Sequence, residues 1–191
     1  RETNKELRSL NLIRLGTCGA LQKELEPDSI VLTEYSIGLD GVKHFYDIEE
    51  SDSERNMRIA FEGFMDLEEC FNNPYLAKAS DKLSTTFQSF GKSGLTLTAN
   101  GFFGPQGRSL RIPLKNPELN KIYPLFQHSG LRILNYEMES SALYSLGKAL
   151  GHSCLCMCVV VANREAMKFS TDYKVAMKKL IINTLDKITT L

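Results

Sequence analysis

The chain has 191 residues, with 23 basic and 23 acidic side chains, a formal net charge of zero, 42% hydrophobic residues and 24% charged residues. This length suits one well-buried domain, and the charge balance excludes a general nucleic-acid or membrane-surface binder, which carries a basic excess. The longest apolar run, Cys154 to Ala162, falls far short of the ~20 residues of a membrane helix.

The opening RETNKE has neither a methionine nor a signal-like apolar segment. It reads as an internal loop, so an N-terminal part is expected ahead of it. Leu10 to Leu15 reads as a short strand, and GTCGALQ follows at Gly16 to Gln22. Glycines flanking Thr17 predict a tight turn whose amides and hydroxyl could hold an anion, with Arg14 just before it. A strand-to-helix turn with no ligand explains the same residues. The GxxxxGK[ST] phosphate-loop spacing is absent.

Ser29 to Gly38 is a second strand, entered through the turn signal Glu26-Pro27-Asp28. A polar loop containing His44 follows, and His44 is assigned no role. The segment with Phe61, Phe64, Met65 and Phe71 suits either the core or a subunit contact. Asn73-Pro74 reads as a helix start, because Tyr75, Ala79, Leu83 and Phe87 then recur every four residues. Leu95 to Thr98 is a strand ending at the turn signal Asn100-Gly101.

The loop Phe102 to Arg108, FFGPQGR, is unusual in keeping two aromatics among its glycines and proline. Beside Gln106 and Arg108 they suit a flat apolar partner with polar edges, although an ordinary hairpin loop fits too. In extended backbone Gln106 and Arg108 would point the same way. Asn116-Pro117 starts a short helix carrying Leu119, Ile122, Tyr123 and Phe126, which Pro124 kinks or ends.

Leu131 to Tyr136 is a strand that opens into a helix from Glu137 to Gly151, with Ala142, Leu143, Leu146, Ala149 and Leu150 as its apolar stripe. Glu137, Met138, Glu139 and Ser140 fall at the junction, where α/β folds place ligands. The two carboxylates serve either the helix dipole or a polyol. Cys154 to Ala162 is a buried strand ended by Asn163, Arg164 and Glu165. Its alternating cysteines lack the CxxC spacing of zinc sites and read as small buried hydrophobes of a reducing, cytoplasmic compartment. A last helix from about Thr171 carries Tyr173, Met177, Leu180, Ile181 and Ile188. The alternation of strands and helices predicts an α/β architecture around one central sheet.

Together RLGTCGALQ, GFFGPQGR and NYEMESSALY resemble, in order and approximate spacing, the uridine phosphorylase branch of the nucleoside phosphorylase superfamily. The resemblance covers nearly the whole chain from Leu12. It implies a single α/β domain, three-layer-like, with a mixed and partly barrel-like central sheet flanked by helices. The chain would be roughly the C-terminal two thirds of that domain, in a cytoplasmic homodimer or hexamer. The implied reaction is reversible phosphorolysis of uridine to uracil and ribose 1-phosphate, with inorganic phosphate as co-substrate and no cofactor or metal.

On the family pattern Arg14, Gly16 and Thr17 hold phosphate. Phe102, Gln106 and Arg108 meet the base, with Arg164 orienting Gln106. Met138 and Glu139 contact the ribose, and Glu137 shapes that pocket. Arg108 and Arg14 are the catalytic candidates, the first stabilising charge on the departing pyrimidine and the second directing phosphate. Purine-specific relatives carry an aspartate after the late apolar strand, where this chain has Asn163 and Arg164. That favours a pyrimidine over the alternatives of a purine nucleoside phosphorylase or nucleosidase. A non-catalytic nucleoside-binding protein is the remaining alternative, since the family's first phosphate loop, and a histidine and an arginine given to a neighbouring subunit, would precede Arg1.

Overall fold

A computed structural model describes residues 7–65 and 73–189. Its elements are β1 (Asn11–Ala20), β2 (Ile30–Gly38), α1 (Asp52–Met65), β3 (Tyr75–Lys78), α2 (Asp81–Phe87), β4 (Lys92–Thr98), α3 (Leu119–Ile122), β5 (Gln127–His128), β6 (Leu131–Glu137), α4 (Ser140–Ala149), β7 (Ser153–Asn163), β8 (Lys168–Phe169) and α5 (Tyr173–Thr189). The sheet runs β3-β2-β4-β6-β1-β7-β8, and β2 also pairs with β7. That extra pairing closes β2, β4, β6, β1 and β7 into a ring, and closure removes exposed strand edges. The ring mixes parallel pairs (β2–β4, β4–β6, β1–β7) with antiparallel ones (β1–β6, β2–β7). The expected mixed, barrel-like sheet with flanking helices is therefore present.

β7 is the most deeply buried strand, with Cys154 to Val160 all in the core. Covered on both faces, it reads as a continuous apolar run instead of an alternation. Burying each such aliphatic side chain contributes about 1.5–3 kcal/mol. One core gathers on β7 with Val31, Leu32, Leu83, Phe87 and Leu180, and a second joins Phe61, Leu95, Leu97, Tyr123, Phe126 and Tyr136. Phe61 thus takes the core role, while Phe64 is partly exposed and lies 5.3 Å from Phe126. Phe71 lies outside the described residues.

Several elements depart from the sequence reading. No tight turn forms at Gly16 to Gln22. β1 continues through Gly16, Thr17 and Gly19 to Ala20, parallel to β7, with a bulge between Cys18 and Gly19. Two glycines read as breakers, but here they sit in a ladder whose partner strand supplies the pairing. The helix expected from Asn73-Pro74 splits in two. Tyr75–Lys78 pairs antiparallel with β2, and only Asp81–Phe87 is helical. Tyr75, Leu76 and Ala77 are all buried, so their spacing reflects a strand covered on both faces.

α1 begins inside what reads as a polar loop, and Ser51 and Glu54 form its capping box. The Glu54 carboxylate accepts from the Ser51 amide at 2.8 Å while the Glu54 amide donates to Ser51 Oγ at 3.4 Å. α4 starts at Ser140 and buries Ser140, Ser141, Tyr144, Ser145 and Gly147, leaving Ala149 and Leu150 of the expected stripe exposed. Polar residues can face inward here because they are bonded: Tyr144 Oη donates to the Thr33 carbonyl at 2.8 Å and accepts from the Cys156 amide at 2.7 Å. In α5, Leu180 is buried but Ile181 and Ile188 face solvent.

Candidate active site

The cleft lies between the ends of β4, β6 and β7 and the bulged half of β1. It encloses about 360 Å³ and is lined by Arg14, Thr17, Phe102, Gln106, Arg108, Glu137, Met138 and Glu139, joined by Cys18, Gly19, Tyr136, Val161, Ala162 and Phe169. All the site residues expected from sequence are in this lining except Gly16 and Arg164, which lie directly behind it.

On one wall, β4 ends at Thr98 and the chain turns through a short 3₁₀ segment, Gly104–Gln106, closed by Gly107 in the left-handed region at φ 69°. The segment is therefore not extended, and Gln106 and Arg108 reach the cleft by another route. Gln106 is buried and Arg108 folds back. The Arg108 guanidinium lies 3.5 Å above the Phe102 ring and donates to the Phe102 carbonyl at 2.9 Å. Burial holds its pKa below the ordinary value. A residue missed by sequence reading fixes this turn. Asn120 donates to the Gln106 carbonyl at 3.2 Å, accepts from Tyr136 Oη at 3.0 Å, and would collide with any Cβ at Gly107, 2.2 Å from its Nδ2. No motif marks Asn120; its place in α3, brought beside the loop by the turn after Gly107, is what counts.

Behind Gln106 stands Arg164. Its Nη1 donates to the Gln106 carbonyl and its Nη2 to Gln106 Oε1 at 3.1 Å. Burial, reinforced by repulsion from Arg108, lowers the Arg164 pKa to about 10. Its Nε has no hydrogen-bond partner among the described residues. Asn163, next to it, is turned away from the cleft. Its amide donates to the carbonyls of Gln22 (2.9 Å), Lys23 (3.3 Å) and Leu25 (2.7 Å), and its Oδ1 accepts from the Ala166 amide at 2.9 Å.

The opposite wall is built at the start of α4. Glu137 is fully enclosed: Oε1 accepts from Thr98 Oγ1 (2.5 Å) and Ser140 Oγ (2.7 Å), and Oε2 from the amides of Glu139 and Ser140, both at 2.9 Å. It serves the helix N-terminus, where a negative charge is stabilised, and shapes the wall without offering a free oxygen. Met138 and Glu139 are exposed beside it. Arg14 comes across from β1, placing Nη2 on Glu139 Oε2 and Nη1 3.5 Å from Glu137 Oε2. Thr17 is exposed at the same mouth. A second cleft of about 370 Å³ around Glu54, Lys78 and Lys148 holds charges that already pair with one another or with Asp81.

This arrangement joins two cations and a carboxamide on one side to a carboxylate and a third arginine on the other. It suits an anion and a planar polar ring held a short distance apart. Comparison with known proteins gives the same direction, since residues 2–186 match the model of the phosphorylase superfamily. The chain belongs to the phosphorylase superfamily.

Among phosphorylase-superfamily proteins, the chain is 27% identical over 163 residues to a uridine phosphorylase of Thermococcus kodakarensis, covering 82% of this chain and 50% of that protein. It is 26% identical over 172 residues to a uridine phosphorylase of Haemophilus influenzae, covering 84% of this chain and 56% of that protein. It thus spans about half the length of these relatives. The crystal structure of a Trypanosoma brucei nucleoside phosphorylase with uridine phosphorylase activity superposes with a TM-score of 0.81 at 25% identity, over 95% of this chain and 64% of that one. A Schistosoma mansoni uridine phosphorylase in complex with thymine shares the fold, at a TM-score of 0.59 and 23% identity, over 96% of this chain and 63% of that one.

Proposed function

We propose that this superfamily member carries the nucleoside and phosphate site of a uridine phosphorylase, cleaving uridine with inorganic phosphate to uracil and ribose 1-phosphate. The observation that carries this reading is the Arg164–Gln106 clamp beside a fully occupied Asn163. With Oε1 held by Arg164, the Gln106 carboxamide presents its amino group to a ring carbonyl and keeps a second lone pair for a ring N–H. That pattern matches the edge of a pyrimidine dione. A purine leaving group is instead served by a proton donor at its imidazole nitrogen, and Asn163, with its amide spent on three carbonyls, has none to give.

The reaction places positive charge on the ribose and negative charge on the departing base. Arg108, unfolded from Phe102, is within the same cleft to meet the developing negative charge, and Phe102 then offers its face to the ring. Arg14 and Thr17 receive phosphate at the opposite end, where the anion faces the sugar and attacks as the bond breaks. Glu139 accepts from ribose hydroxyls beside Met138. The protein contributes placement and preorganised charge, with no covalent intermediate. Homo-oligomeric assembly and a cytoplasmic location belong to the same reading and rest on the family resemblance. Among the described residues no helix is long and apolar enough to cross a membrane.

The test is the release of uracil from uridine with and without inorganic phosphate, repeated with inosine. Phosphate-dependent uracil release with no hypoxanthine is expected. Release without phosphate, or turnover of inosine, overturns the reading.

A further inference from the structure

Arg14 is held by groups that no part of the reaction scheme requires. In the β1–β7 ladder Arg14 is paired with Cys156 and Gly16 with Cys158, so all four residues share one face of the sheet. The Arg14 side chain folds back along that face over Gly16. A Cβ on Gly16 would lie 2.3 Å from Nη1 and 2.7 Å from Cζ, which excludes any other residue without moving the guanidinium. Nη1 then donates to Cys156 Sγ and Cys158 Sγ, both at 3.2 Å. The two sulfurs are buried and 3.7 Å apart, and they meet Nη1 while Glu139 meets Nη2.

We propose that Cys156, Cys158 and Gly16 form a neutral seat that aims Arg14 into the cleft, making the two cysteines positioning residues for the anionic co-substrate. The inference rests on the reading of Arg14 as the phosphate ligand. Its logic is electrostatic. A guanidinium carries five donors in a fixed plane, and those that face inward need acceptors to keep that plane still. Glu137 and Glu139 already face this guanidinium, and a third carboxylate in place of the sulfurs would fix the plane but neutralise still more of the charge that phosphate is to meet. Thiol sulfur is a weak, uncharged acceptor. It fixes direction and leaves the positive charge available. Both thiols stay protonated: Cys156 is held well above its ordinary value by its bond to Cys158 and by burial, and for Cys158 the bond to Cys18 and burial outweigh the opposite effect of Cys156. Glu137, at 3.5 Å, steadies the same nitrogen, but its oxygens are already filled from Thr98, Ser140 and the helix amides.

The experiment compares Cys156→Ala/Cys158→Ala with Cys156→Ser/Cys158→Ser and with Gly16→Ala, using two readouts. The first is the guanidinium NMR signal of Arg14 in the ligand-free protein, assigned by its absence in Arg14→Lys. The second is binding of inorganic phosphate and, separately, of uracil, by calorimetry, with KM and kcat for both substrates. Slow guanidinium rotation is expected in the wild type and in Cys156→Ser/Cys158→Ser, which keeps the acceptors, and faster rotation in Cys156→Ala/Cys158→Ala and in Gly16→Ala. Phosphate binding should weaken about tenfold in the alanine variant, with uracil binding and kcat at saturating phosphate unchanged, and serine should restore it. An unchanged Arg14 signal in the alanine variant overturns the seat, as does equal loss of phosphate and uracil binding. Arg14→Lys protein that binds phosphate as tightly as wild type overturns the assignment of Arg14 to phosphate instead, and the Arg14 signal of the wild type, read without ligand, tells the two failures apart.

Discussion

Arg14 and Glu139 are ion-paired across the mouth of the cleft, Nη2 of one on Oε2 of the other. One is assigned to phosphate and the other to the ribose, so each substrate must separate them. The Glu139 side chain is 57% exposed, and exposed pairs contribute at most about 1 kcal/mol. Glu139→Gln is therefore expected to tighten inorganic phosphate binding by about two- to fivefold while weakening the nucleoside. Calorimetry with phosphate alone decides it; unchanged phosphate affinity would show that the pair does not compete.

Arg164 sits in a position that serves Gln106 at the expense of the fold. Its Nε is buried without a partner among the described residues, a condition that costs about 1–3 kcal/mol. Arg164→Met should weaken uracil binding by about 10- to 100-fold, the value of charge-assisted bonds, with a melting temperature equal to or above wild type. A clear fall in melting temperature would make Arg164 a structural residue first.

Asn163 gives the proposed base choice a direct test. Replacing it by Asp removes the donor from the carbonyls of Gln22, Lys23 and Leu25. The expected result is a loss of at least about 2 kcal/mol in urea unfolding, as buried acceptors lose their partner, and no gain of inosine cleavage. Inosine turnover in Asn163→Asp would contradict this.

The acid limb of stability should depend on Glu54. Burial by itself would raise this carboxyl, but bonds from Lys148, Ser51 and the Lys78 amide outweigh burial and hold it below the ordinary carboxylate value. With the folded value below the unfolded one, its contribution is present above the ordinary value near pH 4.3 and is lost as the pH falls from there through the lower folded value. Glu54→Gln should cost about 1–3 kcal/mol at pH 7, and its stability should fall less steeply than that of wild type between pH 5 and 3. Parallel urea titrations across that range would refute the assignment if both proteins lost stability equally.

How much of this was legible in the sequence differs by element. β2, β4, β6 and β7 stand out because their residue types and lengths leave few other options, and the FFGPQGR loop stands out because aromatics are rare in such company. β1 was half legible. Its two glycines look like punctuation until the pairing with β7 and the folded side chain of Arg14 give Gly16 a reason to be there. β3 failed because a four-residue spacing from Tyr75 to Phe87 coincides with a helical period, and nothing local announces that β2 lies alongside. The start of α1 was readable in principle, since Ser51 and Glu54 spell a capping box. The inward face of α4 was not, because its serines are buried only by virtue of partners on other strands. For the site, residue identity was visible and arrangement was not: Asn120 and the thiols beside Arg14 acquire their roles through neighbours distant in sequence.

The closed ring has a temporal side. Arg14 and Cys156, which touch, are separated by 142 positions, and β2 likewise meets β7 late in the chain. During synthesis β1 must wait unpaired on that side until β7 has left the ribosome, and contacts of such long range make folding slow. The cleft consequently comes into being all at once, when β7 slots between β1 and β2, and a nascent chain stalled before that point holds Arg14 and Gln106 without a site to put them in.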